Sequence, residues 1–328
     1  VRKNTSHLVN LNVDWDFGPA TLAFVGAYQH TVLDTRRDTD NGNAVPGYIG
    51  ASHVKTPYKV WTGELRLTSN NDEGLGWGLG AFYTKQTGTT VVQESADSFF
   101  FPVSVLTSPA LLGNPPYLPL DTTVVVPVDT STWSFSANLR YKTGPLKIEG
   151  GIRYSIMKSN QTTQLGLSTS GNTLIPCGPN PLNPAFGCMP MTIPPYEIIP
   201  GNLQKFTDKP ITGGINITYE ISPEINVYAA YGHAFRQGST GVSTPAGIST
   251  DLIRTKNEKT DSFEIGLKGS VLDRRVNFSV AAFYQKIEGF LNRFDSIFWQ
   301  AASPPASSPD GFFSFNYNGD AKIKGVEA

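Results

Sequence analysis

The sequence predicts an all-β fold, an antiparallel transmembrane β-barrel. Three observations predict it. Segment after segment alternates apolar and polar side chains with a period of two, the signature of a strand with two unlike faces. The connections alternate between short polar turns (Asp16 to Pro19, Asn70 to Gly76, Lys142 to Pro145, Glu220 to Glu224, Leu272 to Arg275) and long stretches (Leu33 to Thr56, Gly88 to Thr130, Ser159 to Lys205, Gly238 to Asn257, Asn292 to Asp310). Aromatic residues gather at both ends of the apolar faces. A soluble sandwich has no reason to place every short turn at one end. A bacterial outer-membrane barrel does, with tight turns on the periplasmic side and long loops outside.

In chain order, the first barrel-like strand is Ser6 to Asp16, around Val9, and the second lies around Phe24. Val60 to Ser69 puts Trp61, Gly63, Leu65 and Leu67 on one face and Thr62, Glu64, Arg66 and Thr68 on the other. A strand around Leu79 follows. Trp133, Phe135, Ala137, Leu139 and Tyr141 then oppose Ser134, Ser136, Asn138 and Arg140. Leu146, Ile148, Gly150, Ile152 and Tyr154 oppose Lys147, Glu149, Gly151 and Arg153. Ile211, Gly213, Ile215, Ile217 and Tyr219 oppose Thr212, Gly214, Asn216 and Thr218. After a strand around Val227, Phe263, Ile265 and Leu267 oppose Ser262, Glu264 and Lys268. Val276, Phe278, Val280, Ala282 and Tyr284 oppose Asn277, Ser279, Ala281 and Gln285. With a last strand near Ile323 the count is about eleven, each with one face for lipid and one for a wet lumen.

Trp15, Trp77, Tyr141 and Tyr219 lie beside the short turns, whereas Tyr28, Trp61, Tyr83, Trp133, Tyr154, Tyr231 and Tyr284 lie toward the long loops. Amphipathic rings favour the two membrane interfaces, so these are read as two girdles. Two segments break the pattern. Ala321 and Ile323 share one face while Val326 and Ala328 have the opposite parity, and a bulge near Gly325 would restore phase. Phe99 to Phe101 and Val124 to Val126 sit in a long loop, where they extend strands above the membrane or cover a ligand.

Composition excludes several functions. The chain has 328 residues, 16% charged, with a formal net charge of −1, which gives no electrostatic case for nucleic acid. No apolar run reaches the length of a transmembrane helix, so a closed barrel is the remaining way to satisfy the backbone in lipid. The glycines from Gly74 to Gly80 fall at period two in a turn and strand and make no phosphate cradle. His7, His30, His53 and His233 are scattered, with no nucleophile motif beside them, and no enzyme chemistry is expected. Asp38 to Gly42 faintly resembles a calcium loop but has Gly42 where a third ligand belongs, and reads as a solvated loop tip. No metal site and no cofactor are expected. Cys177 and Cys188 share the third long loop with no histidine nearby, which argues against zinc. In an oxidising exterior they favour a loop-closing disulfide over free thiols.

Several segments resemble the barrel of TonB-dependent outer-membrane receptors. Trp61-Thr62-Gly63-Glu64-Leu65-Arg66-Leu67-Thr68-Ser69 followed by Trp77-Gly78-Leu79-Gly80-Ala81-Phe82-Tyr83 is similar to that family's "ELRL-S" strand and "G-x-F-Y" partner. Gly150 to Tyr154 resembles its "GxRY" strand, and Ile225 to Arg236 its "YxxYxxxFR" strand. Lys259 to Gly269, Ala282-Phe283-Tyr284 and Lys324-Gly325-Val326-Glu327-Ala328 resemble its "E-x-x-E-G-K" and "KGVEAE" region. Each motif is weak alone, but their order runs across nearly all of residues 1–328.

The resemblance implies a receptor that imports a scarce solute, by default a ferric siderophore, without bond chemistry. External loops would capture ligand against a plug domain on which periplasmic TonB pulls. Family barrels have 22 strands around the plug. Nothing here matches the plug, and the chain starts at Val1 without Met or signal peptide. The expectation is therefore the middle of a larger barrel, lacking plug and C-terminal strands. The alternatives are a passive porin and a surface adhesin. Arg236 points into the lumen near the outer end of its strand, where it contacts an anionic ligand, holds the plug, or pairs with a lumenal carboxylate such as Glu264. Phe99, Phe100, Tyr117 and Trp299 are the further candidate ligand contacts, and His233 is read as interfacial.

The topology has a direct test. Cysteines placed at Asn41, Ser243 and Ser307 of the full-length protein should react with an impermeant thiol reagent on intact cells. Labelling at Asp72 or Asp273 instead would invert the barrel.

Overall fold

The computed structural model describes residues 1–38, 51–71, 73–94, 100–102, 117–169, 192–197, 201–238, 254–299 and 311–328. They form one antiparallel sheet of β1 (Arg2–Asp16), β2 (Ala20–Asp38), β3 (Ala51–Ser69), β4 (Gly74–Glu94), β5 (Phe100–Pro102), β6 (Tyr117–Thr143), β7 (Leu146–Gln161), β8 (Gln164–Thr169), β9 (Thr192–Glu197), β10 (Lys205–Asp208), β11 (Ile211–Ser222), β12 (Ile225–Arg236), β13 (Glu258–Val271), β14 (Val276–Trp299) and β15 (Gly311–Glu327). A single helical turn, α1 (Gly201–Gln204), leads into β10. The main path runs β1-β2-β3-β4-β6-β7-β11-β12-β13-β14-β15, eleven strands in chain order. Every neighbour on it is antiparallel. The sheet is open: β1 pairs with β2 alone and β15 with β14 alone.

Burial is inverted relative to a soluble protein. Thr31, Ser52, Ser134 and Ser155 are buried, while Trp61 is 55% exposed, Leu139 60% and Ile265 59%. The buried hydroxyls bond across strands: Ser134 Oγ lies 2.8 Å from Ser155 Oγ, and Ser6 Oγ 2.8 Å from Thr31 Oγ1. The cause is the period-two pleat, which sends alternate side chains to opposite faces. The concave face turns polar groups toward one another, and the convex face offers hydrocarbon to lipid. With few apolar residues buried among the described ones, backbone ladders and the lipid-facing surface carry the fold.

The outer girdle is built by register. Tyr28 stands opposite Trp61 with ring centroids 4.3 Å apart, and Tyr83 opposite Trp133 at 4.5 Å. Tyr231, Phe263 and Tyr284 form a third run. Tilted aromatic pairs in this range are stabilising contacts beyond their area.

The short turns lie where expected and have identifiable backbone reasons. Gly18 adopts φ 95° and its N–H donates to Asp16 Oδ1 at 2.7 Å. Gly144 takes φ 52° between β6 and β7. Leu272, Asp273 and Arg274 all have left-handed φ, between β13 and β14, as a tight hairpin turn demands of residues ill suited to it.

The long stretches are shorter as loops than expected, because strands climb into them. β4 and β6 pair from Gly74–Lys142 to Glu94–Thr122, so Val124 to Val126 lie within a strand. The 27 residues of β6 far exceed the ten or so that cross a bilayer, and its upper part stands above the membrane. There it also pairs with β5 and β8, while β9 extends β8.

The expected bulge near Gly325 does not form. Pairing is continuous from Ile287–Ala321 to Ala281–Glu327, and the register shifts instead between Ile287 and Phe290, around Gly289 at φ 69°. Val326 and Lys324 therefore share the lipid face with Ala282 and Tyr284, and Ile323 faces the lumen beside Gln285. An unbroken ladder leaves no amide facing β14 unpaired in this stretch, and a lysine at girdle height can extend its charge to the interface. That outweighs one misplaced isoleucine.

Asn70 ties the first two turns together. Its Nδ2 donates to Asp16 Oδ1 and to the Gly18 carbonyl, both at 2.9 Å, and its Oδ1 accepts from Thr21 Oγ1 at 2.8 Å. Asn70→Ala in the full-length protein should cost about 1–2 kcal/mol in urea unfolding from detergent, the range for exposed but multiple hydrogen bonds.

Candidate functional site

The candidate site is the lumenal face and the vestibule at its outer end. One row of that face reads, strand by strand, Gly78, Asn138, Gly151, Gly214, Gly232 and Ser262, each directly opposite the next. The adjoining row toward the short turns reads Arg140, Glu149, Asn216, Ala230 and Glu264. A wall of backbone and short side chains is thus bordered by charges. Nearest groups of opposite sign meet locally: Arg66 lies 3.5 Å from Glu64 and Lys147 2.9 Å from Glu149. Tyr228 donates to Glu264 at 2.5 Å while Lys268 stands 4.6 Å from the Tyr228 ring centre.

Toward the outer end the strands are clamped by side chains. Asp208 on β10 accepts from Gln237 at 2.7 Å and from Asn257 at 2.6 Å. Asn257 Oδ1 in turn accepts from the Gly238 amide at 2.9 Å, closing the two ends of the connection after β12. Asn318 accepts from the Lys256 amide at 2.6 Å and donates to the Gly289 carbonyl at 2.6 Å, at the bulge of β14. Arg254 stacks 4.4 Å above the buried Phe206 ring. Cation–π contact and charge-assisted bonds together fix the stems of the connections around residues 201–208 and 254–257.

Arg236 ends β12 on the lumenal face and pairs with Glu258 at 2.8 Å, not with Glu264. Glu258 stands directly opposite it and also accepts the Leu291 amide at 3.2 Å, so the carboxylate is held from two sides. Glu264 lies six residues deeper and is taken by Tyr228. The guanidinium remains more than half exposed toward the vestibule. Phe100 and Tyr117 are brought into one strand pair, where Phe100 opposes Pro119 and Tyr117 opposes Pro102. Trp299 ends β14 opposite Gly311, on the other side of the sheet, and is not brought to them. Phe99, Cys177 and Cys188 lie outside the described residues. His233 faces lipid and pairs with Asp261 at 2.8 Å, one row beyond the girdle residue Tyr231.

Sequence reasoning missed Asp208, Glu258, Asn257 and Asn318. Asn318-Gly319 reads as a turn by itself. Nothing local marks Asp208 or Asn257 as partners across 49 positions. Among the described residues no group of acids, histidines or cysteines is arranged to hold a metal ion.

The model of the family "TonB dependent receptor-like, beta-barrel" matches residues 1–328. Comparison with curated proteins finds no match. Solved structures similar to the chain include the ferric yersiniabactin uptake receptor FyuA from Yersinia pestis, at 14% identity and TM-score 0.57, covering 99% of this chain and 43% of that one. The siderophore receptor PiuA from Acinetobacter baumannii (16% identity, TM-score 0.55) and the ferric-catecholate import receptor Fiu from E. coli K12 (16%, 0.56) each match 99% of this chain over 44% of theirs. The chain thus spans less than half the length of these three receptors.

The clamp yields a prediction. Asn318→Ala removes bonds to the backbone at Lys256 and Gly289, a loss of about 1–3 kcal/mol for partly buried groups. Limited proteolysis of the full-length protein in detergent should then cut the 239–253 connection several times faster than in the wild type.

Proposed function

The chain belongs to the TonB-dependent receptor-like β-barrel family, and from that premise we propose that it is the lumenal wall and vestibule of an outer-membrane receptor that imports a ferric siderophore. The observation that carries this reading is the polar, charge-bordered lumenal face opposite a continuous lipid-facing one. Siderophore receptors are among the solved structures that share the fold.

In the mechanism we infer, the clamped stems around Asp208 and Asn257 hold the external connections in place. Arg236, anchored by Glu258 yet open on its other side, offers donors to an anionic ligand. The row of glycines and short side chains lets a plug domain approach the wall closely, and the bordering charges bind it reversibly. TonB acts on that plug, and the ligand passes along the lumen with no bond made or broken.

The test is uptake of radiolabelled ferric siderophores by a receptor-null strain carrying the full-length gene. Uptake should occur for at least one siderophore class and vanish when TonB is deleted. Arg236→Ala should weaken ligand binding about tenfold, as expected for loss of one charged hydrogen-bonding partner, with unchanged amounts of folded protein. Solute entry that persists without TonB would establish a passive channel instead.

A further inference from the structure

On the lipid face a basic residue stands one row beyond the outer girdle on many strands: His30 beyond Tyr28, Lys59 beyond Trp61, Lys85 beyond Tyr83, His233 beyond Tyr231 and Lys286 beyond Tyr284. Two of these have an acid beside them. His233 faces Asp261, and Lys286 lies 2.5 Å from Glu288.

At one place they are not balanced. Lys85, Ser131, Lys158 and Thr207 lie in one row across β4, β6, β7 and β10, each opposite the next. Asp129, Asn160 and Lys205 form the row beyond it. Together they line an open cleft of about 450 Å³. Asp129 is spent on Lys85, at 3.7 Å, while Lys158 and Lys205 have no ion-pair partner among the described residues. Three ammonium groups against one carboxylate leave an excess of two positive charges. Immediately below lie Tyr83 and the exposed Trp133, Phe135 and Tyr154, the apolar belt.

We propose that this cleft binds the phosphate-bearing headgroup of an outer-leaflet lipid. The parity of Lys85 and Lys158 puts them on the face of Trp133 and Tyr154, outside the barrel, so no solute in the lumen can reach them. The continuous apolar belt beneath accepts acyl chains, which makes the occupant an amphiphile. Flexible lysine stems can lie along the belt while their charges meet phosphate at the interface. Ser131 and Thr207 hydroxyls add neutral donors in the same row. The inference rests on the orientation of the sheet in the membrane and is independent of what crosses the lumen.

The experiment titrates the full-length protein in detergent with dihexanoyl phosphatidic acid, dihexanoyl phosphatidylcholine or inorganic phosphate, and reads binding by calorimetry. Phosphatidic acid should bind tightest, because its phosphate is uncapped and its chains engage the belt. Each lysine replaced by alanine should weaken it about fivefold, and the triple Lys→Arg variant should retain it. Where the triple alanine variant does not fold, Lys158→Ala and Lys205→Ala separately carry the same fivefold test. Wild-type affinity in the alanine variants overturns the proposal. Inorganic phosphate binding as tightly as phosphatidic acid overturns it too, because the cleft would then serve a free anion.

Discussion

The membrane-spanning sheet depends on one constraint: in hydrocarbon, each backbone N–H and C=O must find its partner within the protein. The antiparallel ladder meets that demand from β1 to β15 with each strand paired to its neighbour in sequence along the main path. Once the ladder is fixed, the pleat divides side chains between two solvents. Lipid receives Leu139, Ile265 and the aromatic girdle, and the lumen receives Ser134, Arg140 and Glu264. The same constraint bears on the outer edges of β1 and β15, which are open in this sheet and need strand partners wherever they lie in lipid.

This division explains why so much of the fold was legible. Strand parity is a local property, so Val60 to Ser69 or Leu146 to Tyr154 could be assigned to faces without any tertiary information. The turn residues were equally readable, since Gly18 and Gly144 stand where positive φ is required. What escaped was long-range or above the membrane. Outside the bilayer no apolar face is needed, so the extensions of β2, β3, β4 and β6 lose the alternating pattern and read as loops. At β15, side-chain parity suggested a bulge, but ladder continuity won and the shift moved to Gly289.

The candidate site was legible in part for the same reason. Arg236 could be placed on the lumenal face by parity, but its partner depends on the register of β12 against β13, which sets Glu258 and not Glu264 opposite it. The clamp of Asp208, Asn257 and Asn318 joins residues 49 and 62 positions apart, and no sequence window contains it. Two chemically distinct surfaces stand back to back. The inner one is polar and held by paired charges, suited to reversible contact. The outer one is apolar with unpaired lysines at its rim, suited to an amphiphilic neighbour.

The central claim is that one face of each strand meets lipid and the other a lumen, and spin labelling along β6 tests it most directly. Nitroxides placed singly from Ser134 to Tyr141 of the full-length protein in liposomes would be measured for collision with oxygen and with a water-soluble nickel chelate. Oxygen access should peak at Phe135, Ala137, Leu139 and Tyr141, and chelate access at Ser134, Ser136, Asn138 and Arg140, out of phase with period two. Both accessibilities rising and falling together, or showing no period of two, would contradict the account.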